Sequence, residues 1–275
     1  MYTQLSEVSK DDFEDASRIL ADSWKNRVAV NKEKLNLEEY YIEDAPDYPE
    51  NLVPFKDDLR YKSLDSSVKR KILAGAWVSY NEKTIGVEVS IVNPACELLL
   101  RGVFKGVDTM PLKRVVAQTQ VDEQFHILMC LDACLIARKK HCIESLVIPV
   151  PLVVKELERA IGNSTSEREM AITRLAFATV AEVTINAYLG LLSNDKDIQP
   201  LNRETTALHR KDESSHNKIF RELAKNIFDE LSEKEKGSFA SNLVLGLEAF
   251  VKADLNAWRE ILKHLNVPEA DEIVC

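Results

Sequence analysis

Residues 122–126 read Asp-Glu-Gln-Phe-His and residues 212–216 read Asp-Glu-Ser-Ser-His, so the pattern Asp-Glu-x-x-His occurs twice. Both copies lie inside long runs with helical hydrophobic periodicity. Residues three apart share one face of a helix, so the Glu and the His of one copy can bind the same metal ion. One Glu-x-x-His is weak evidence, but two copies, each preceded by Asp, use two of the five histidines. The pair predicts two facing helices that hold two metal ions.

Two further carboxylates lie in strongly apolar stretches. Glu182 is the single charged residue of Ala-Thr-Val-Ala-Glu-Val-Thr-Ile, residues 178–185, and Glu88 is that of Ile-Gly-Val-Glu-Val-Ser-Ile-Val, residues 85–92. A buried carboxylate without a partner costs several kcal/mol, so we expect both to face a cation. Glu97, which precedes three leucines, is the competitor of Glu88 for this role.

The second motif has an additional histidine on the same helical stripe. His209, Glu213 and His216 are spaced at i, i+4 and i+7, so His209 is expected to face the same metal ions. Asp122 and Asp212 precede the two motif glutamates. Each is expected to accept a hydrogen bond from the histidine of the opposite motif, and this bond fixes the tautomer and orientation of the ring.

The hydrophobic pattern predicts an all-α chain. Two Glu-x-x-His motifs with two further carboxylates are typical of a ferritin-like four-helix bundle core, here with additional helices. With 8 Gly and 9 Pro, the chain has too few turn residues for a β-protein or a disordered chain. Helices are expected over residues 10–27, 68–92 (continuing to about 100), 111–140, 152–161, 167–193, 201–231 and 232–265. Residues 44–58 contain three prolines and predict an ordered loop. Residues 1–275 are expected to form one domain, of which residues 1–65 are the least regular part.

The composition restricts the partners and the compartment. The net charge of −9 and the absence of a basic block argue against nucleic acid and anionic membranes as partners. The N-terminus lacks the pattern of a signal peptide, and residues 145–154 contain two prolines, so a cytoplasmic protein without a transmembrane helix is expected. The five cysteines form no Cys-x-x-Cys and are expected to be unpaired, buried thiols: Cys96, Cys130, Cys134, Cys142 and Cys275.

The order of these candidate ligands resembles that of the AurF-like di-iron N-oxygenases. The resemblance rests on Glu … Asp-Glu-x-x-His … Glu … His-x-x-x-Glu-x-x-His, with a third histidine that most ferritin-like di-iron oxygenases lack. The spacings of 35 residues from Glu88 to Glu123 and of 27 from Glu182 to His209 also match, and the former favours Glu88 over Glu97. Residues 48–55 and 92–95 are similar to the family as well. The resemblance implies seven metal ligands, namely Glu88, Glu123, His126, Glu182, His209, Glu213 and His216.

The resemblance also implies a reaction. Two iron ions would activate dioxygen and oxygenate the nitrogen of a small amine to a hydroxylamine, nitroso or nitro compound. Manganese suits the same ligands. Electrons are expected from an external reductase or ferredoxin, because the sequence has neither a dinucleotide-binding fingerprint nor an iron–sulfur pattern. A homodimer is a further expectation. Lys83 and Tyr188 are candidate residues of the substrate pocket.

Three other functions are open at this point. A di-iron C–H hydroxylase or desaturase can use the same scaffold, and an iron-handling ferroxidase can use similar ligands. A helical interaction protein can bury the same residues as salt bridges. The remaining histidines and the tryptophans are expected to be surface and packing residues, respectively: His141 and His264, and Trp24, Trp77 and Trp258.

Overall fold

Helices form all of the regular structure in residues 10–28 and 40–274, the two ranges that this computed structural model describes. The predicted all-α class is confirmed. A 3₁₀ turn spans Glu50–Leu52, and a π-helical turn, Glu88–Val92, lies between an α-helix that ends at Val87 and one that begins at Asn93. The α-helices are α1 Lys10–Arg27, α2 Leu59–Lys62, α3 Ser66–Val87, α4 Asn93–Leu100, α5 Met110–His141, α6 Leu152–Gly162, α7 Glu167–Ser193, α8 Pro200–Glu230, α9 Glu233–Val251, α10 Leu255–His264 and α11 Ala270–Ile273.

Four long helices, α3, α5, α7 and α8, form the core of the bundle. Helix α7 packs along α8, α3 packs along α5, and α5 contacts α8. The π-helical turn contacts both α5 and α7 and so joins the two helix pairs. Helix α1 lies across α5 and α8, α9 covers α7, and α10 packs on α3. This arrangement is the predicted four-helix core with additional helices.

Local signals in the sequence set the ends of these helices. Ser166 and Ser232 cap α7 and α9 by accepting hydrogen bonds from backbone N–H groups of the first turn. Ser232 also forms a reciprocal capping box with Glu235. Proline occupies the first turn of α5 and of α8, where the missing N–H has no intrahelical partner in any case. Helix α5 ends at His141 and is followed by its cap residue Cys142, whose φ of 54° is left-handed.

The prediction of a single helix over residues 232–265 is wrong. Helix α9 ends at Val251, and α10 begins at Leu255. The side chain of Asp254 accepts from the backbone N–H of Ala257, which caps α10, and from that of Leu152 at the start of α6. The break therefore provides a connection to α6 that one continuous helix would not make. Sequence periodicity continues across the break and does not reveal it.

Helix α7 is the one helix of the described residues that is long and apolar enough to cross a membrane. More than half of its most apolar window, 56%, is buried inside the protein. It packs against α6, α8 and α9 and carries Glu182 on its buried face. A core helix of a water-soluble bundle has the same composition, so this finding alone does not indicate a membrane span.

The proline-containing segment before α2 is an ordered loop, as predicted. The side chain of Gln199 at the start of α8 accepts from the backbone N–H of Ile42 and donates to the carbonyl of Ala45. Asn202, one turn later, donates to the carbonyl oxygen of Asp47. The amino-terminal end of α8 therefore fixes this loop.

Two predictions for the end of α5 need correction, namely the surface position of His141 and the burial of Cys142. His141 is not a surface residue, since its side chain is 12% exposed and lies 2.6 Å from the carboxylate of Asp47. Its ring also contacts the hydroxyl group of Tyr41 at 3.3 Å. Cys142 is exposed, whereas Cys96, Cys130 and Cys134 are buried. Cys275 lies outside the described residues.

Candidate metal centre

The seven candidate ligands come from four parts of the bundle and meet in its interior. Glu88 belongs to the π-helical turn, and the others belong to α5, α7 and α8. Their side chains are between 0 and 4% exposed. Bulk water does not solvate these charges, so they must find their partners within the site. The set is Glu88, Glu123, His126, Glu182, His209, Glu213 and His216.

Six of the seven residues form two overlapping groups. One group contains His126, His209 and Glu213, and the potential ligand atoms lie within 4.8 Å of one another. The second group, defined by the same distance, contains Glu123, Glu182, Glu213 and His216. Glu213 belongs to both groups, so two ions held there would share its carboxylate.

Several potential metal-binding atoms of the site lie close together without forming hydrogen bonds. Nδ1 of His216 lies 2.8 Å from Oε1 of Glu123, yet neither atom has a hydrogen-bond partner of acceptable geometry. One oxygen each of Glu88, Glu182 and Glu213 is also buried without a partner. Buried polar atoms are normally satisfied. Lone pairs that point toward a common space are therefore expected where cations bind, and the oxygen and imidazole donors suit iron or manganese.

A second layer of carboxylates orients the two motif histidines. Nε2 of His216 donates to Asp122 at 3.2 Å, and Nε2 of His126 donates to Asp212 at 3.3 Å. Each aspartate thus holds the histidine of the opposite motif. Because Nε2 carries the proton in these bonds, Nδ1 can present its lone pair to the centre of the site.

The electrostatics of the site indicate a deficit of positive charge. Burial, together with the charges of Glu123, Glu213 and Glu182, raises the pKa of Glu88 well above its ordinary range. Burial and the charges of Glu213 and Glu123 do the same for the pKa of Glu182. Carboxylates with raised pKa values stabilise a nearby cation by becoming ionised when it binds.

The pKa values of His126 and His209 are shifted in opposite directions. Burial lowers the pKa of His126, but Glu123 and Asp212 outweigh this effect and raise it to about 10. Burial raises the pKa of Glu123, but the charges of His216 and His126 hold it at about 2. Burial and the neighbouring His126 lower the pKa of His209. His209 is thus the histidine most readily available as a neutral ligand.

Glu88 owes its position to the π-helical turn, a feature that the sequence analysis did not predict. Pro94 lies in the first turn of α4 and has no N–H to donate to the carbonyl group of Ser90. The wider turn over Glu88–Val92 accommodates the proline ring. The side chain of Glu97 is 57% exposed and lies 3.6 Å from Arg101, so Glu97 is not part of the site.

The two candidate pocket residues have different environments. The ammonium group of Lys83 donates to the carbonyl oxygen of Phe250 at 2.9 Å and lies over the ring of the same residue. The hydroxyl group of Tyr188 is hydrogen-bonded to that of Tyr48, and its ring stacks on Tyr80 with centroids 5.5 Å apart.

Tyr80 is a neighbour of the site that the sequence analysis missed. Its pKa is raised by burial, with contributions from Cys130, Tyr188 and the charge of Glu213. The spacing of Tyr80, Thr84 and Glu88 at i, i+4 and i+8 was the available signal.

A comparison with known proteins decides the family. The family model described as P-aminobenzoate N-oxygenase AurF matches residues 10–274. The chain belongs to the AurF family. It is 33% identical over 258 residues to a 4-aminobenzoate N-oxygenase from Streptomyces thioluteus, and the match covers 93% of this chain and 77% of the relative. The AurF match spans every described helix, from α1 to α11. The resemblance inferred from the order of the candidate ligands is therefore confirmed.

Proposed function

We propose that this AurF-family protein is a di-iron monooxygenase that oxygenates the nitrogen of a small amine. The observation that carries the proposal is the pair of buried groups that share Glu213. Membership of the AurF family and the activity named for the Streptomyces relative support the same reaction. The aspartate that orients each motif histidine is further support, because such bonds are typical of metal sites.

The two groups of candidate ligands indicate which residues would hold each of two ions. Glu123, Glu182 and His216 would hold one ion, and His126 and His209 would hold the other, with Glu213 between them. Glu88 faces the cluster from the π-helical turn as the remaining carboxylate. When bound, the two ions would supply the redox chemistry that activates dioxygen and transfers one of its oxygen atoms to the amine. Iron is proposed over manganese because of the family.

The protein's own contribution is to position the ligands and exclude water. The buried carboxylates balance the charge of the ions, and Asp122 and Asp212 keep the two motif histidines in one tautomer. The rings of Tyr80 and Tyr188 stack with their centroids 5.5 Å apart, and the charge of Glu213 contributes to the raised pKa of Tyr80. Flat rings favour stacking with a flat partner, so an aromatic amine is the first substrate class to test.

The test is metal analysis followed by product analysis. Purified protein is loaded anaerobically with ferrous iron, assayed for iron, and exposed to dioxygen with 4-aminobenzoate and with a panel of aromatic and aliphatic amines. The proposal predicts about two irons per chain and a hydroxylamino, nitroso or nitro product. Oxygen incorporation only at carbon would instead indicate a C–H hydroxylase. Iron loading far above two per chain would indicate a ferroxidase, and no iron uptake would indicate a structural role for the cluster.

Three further proposals concern the surroundings of the enzyme. We propose that its electrons come from an external reductase or ferredoxin, that it forms a homodimer, and that it is cytoplasmic. Sedimentation analysis of the purified protein tests the dimer. Reconstitution with candidate reductases tests the electron donor, since the enzyme alone with a nicotinamide cofactor should not turn over.

A further inference from the structure

Trp24 on α1 connects to the metal centre through two successive hydrogen bonds. Its indole Nε1 donates to both carboxylate oxygens of Asp122, at 2.9 and 3.1 Å. The Oδ2 atom of Asp122 also accepts from Nε2 of His216 at 3.2 Å. The other ring nitrogen of His216 faces the proposed ligand cluster, 2.8 Å from Oε1 of Glu123. The chain of contacts is therefore indole, carboxylate, imidazole and metal centre.

This path also runs from the outside of the bundle to its interior. Helix α1 is an additional helix that lies across α5 and α8. The side chain of Trp24 is partly exposed, whereas those of Asp122 and His216 are 0% exposed. The other two tryptophans are placed differently. Trp77 stacks on Tyr80, and Trp258 packs edge-on against Tyr48 and Phe55.

The chemistry of the path suits electron transfer. Electrons tunnel more efficiently through covalent and hydrogen bonds than across van der Waals gaps. The route from the indole ring to His216 is continuous, with no such gap. A buried centre that must be re-reduced needs a route of this kind, because a protein donor cannot enter the bundle.

We propose that Trp24, Asp122 and His216 form the electron-entry route of the enzyme, an inference that rests on the di-iron function proposed above. An external one-electron donor gives up one electron near Trp24 and is itself oxidised by one electron. That electron reduces one ferric ion to ferrous, and two deliveries restore the reduced pair. Trp24 keeps its N–H and undergoes no net change. Trp24 is thus a positioning residue for Asp122 and the entry point of the route.

The experiment measures reduction of the oxidised, iron-loaded protein under anaerobic stopped flow. The variants are Trp24→Phe and the smaller change Trp24→Tyr, and Trp258→Phe is the matched control on a partly exposed tryptophan away from the route. Reduced ferredoxin serves as the large donor. Iron content, reduction potential and single turnover of chemically pre-reduced protein are measured on each variant.

The expected result is selective. Trp24→Phe should slow reduction by ferredoxin by roughly tenfold or more, with iron content, potential and single turnover close to those of the parent protein. The rate of reduction by ferredoxin in Trp24→Tyr should lie between the rates of the parent protein and of Trp24→Phe. The rate in Trp258→Phe should equal that of the parent. Equal ferredoxin rates in the parent and Trp24→Phe would overturn the route and leave the di-iron function intact.

Two other results would also be decisive. A slower rate accompanied by lost iron or a shifted potential in both Trp24 variants would show a purely structural role and overturn the route. A parent protein without the absorption of an oxidised iron centre would remove the proposed function, and with it the route.

Discussion

Glu213 is the residue on which both halves of the candidate centre depend. One helix, α8, supplies it together with His209 and His216, and the spacings of four and three residues place all three side chains on one face. Its carboxylate lies 3.4 Å from Nδ1 of both His126 and His216. A single side chain therefore connects the two motifs.

Replacing this bridging carboxylate tests the assignment of the two ions. We expect Glu213→Ala to lower bound iron from about two per chain to less than one, because both groups lose a shared ligand. His209→Ala removes a ligand from one group only and should retain about one iron. Glu97→Ala, on an exposed carboxylate, is the control and should bind as much iron as the parent. Full iron content in Glu213→Ala, measured by metal analysis, would contradict the bridging role.

The raised pKa of His126, about 10, predicts that metal binding depends on pH. In the metal-free protein both ring nitrogens of His126 carry protons at neutral pH, and a metal ion binds only after one of these protons is lost. Binding must therefore release a proton, so the affinity should rise as the pH rises. Titration with Mn²⁺ at about pH 6, 7 and 8 should show Kd falling by roughly tenfold per unit for each proton released. A Kd that is constant over this range would show that the proton does not compete with the metal.

At the level of helices, the π-helical turn is the feature that places Glu88. An uninterrupted α-helix over residues 66–100 would rotate Glu88 relative to the residues that follow it. The proline in the first turn of α4 removes the N–H that such a helix requires. Pro94 therefore produces the turn, and the turn sets the position of Glu88, a candidate ligand six residues earlier in the chain.

Substituting this proline separates helix formation from metal binding. We expect Pro94→Ala to keep the helical content, because alanine favours helix, while the turn relaxes toward an α-helix and Glu88 shifts. Bound iron should fall below that of the parent although the circular dichroism spectrum is unchanged. Pro111→Ala at the start of α5 is the matched control, since proline there replaces no intrahelical bond. Equal iron content in Pro94→Ala and the parent would show that the turn does not position Glu88.

The sequence was informative about helices and residue faces, and less so about breaks and distant contacts. Periodicity located α5, α7 and α8, and the repeated motif identified residues that meet in the bundle. The break at Asp254 was missed because Asp254 bonds to the backbone N–H of Leu152, a residue about a hundred positions away in the chain. The contact of Trp24 with Asp122 was missed for the same reason. Periodicity describes one helix at a time and does not record which helices become neighbours.

For the molecule as a whole, two hydrophobic clusters share the same long helices. The cluster near α9 includes Val87 and Leu175, and the cluster near α10 includes Ile72 and Leu192. Helices α3 and α7 each contribute to both clusters, as does α5. Because the same three helices run through both clusters, we expect the two clusters to unfold together, and the single domain remains a prediction.

Thermal unfolding with and without metal tests this whole-molecule view. The metal-free protein retains a group of buried carboxylates, and a ligand that binds only the folded state stabilises it by about 4 kcal/mol at a thousandfold excess over Kd. For a chain of this size, that corresponds to an increase in Tm of roughly 10 °C. Calorimetry should therefore show one transition that shifts upward when iron or manganese is added. Two separate transitions would contradict the single domain. An unchanged Tm in the parent protein, together with the same Tm in Glu213→Ala, would contradict a metal centre in the bundle.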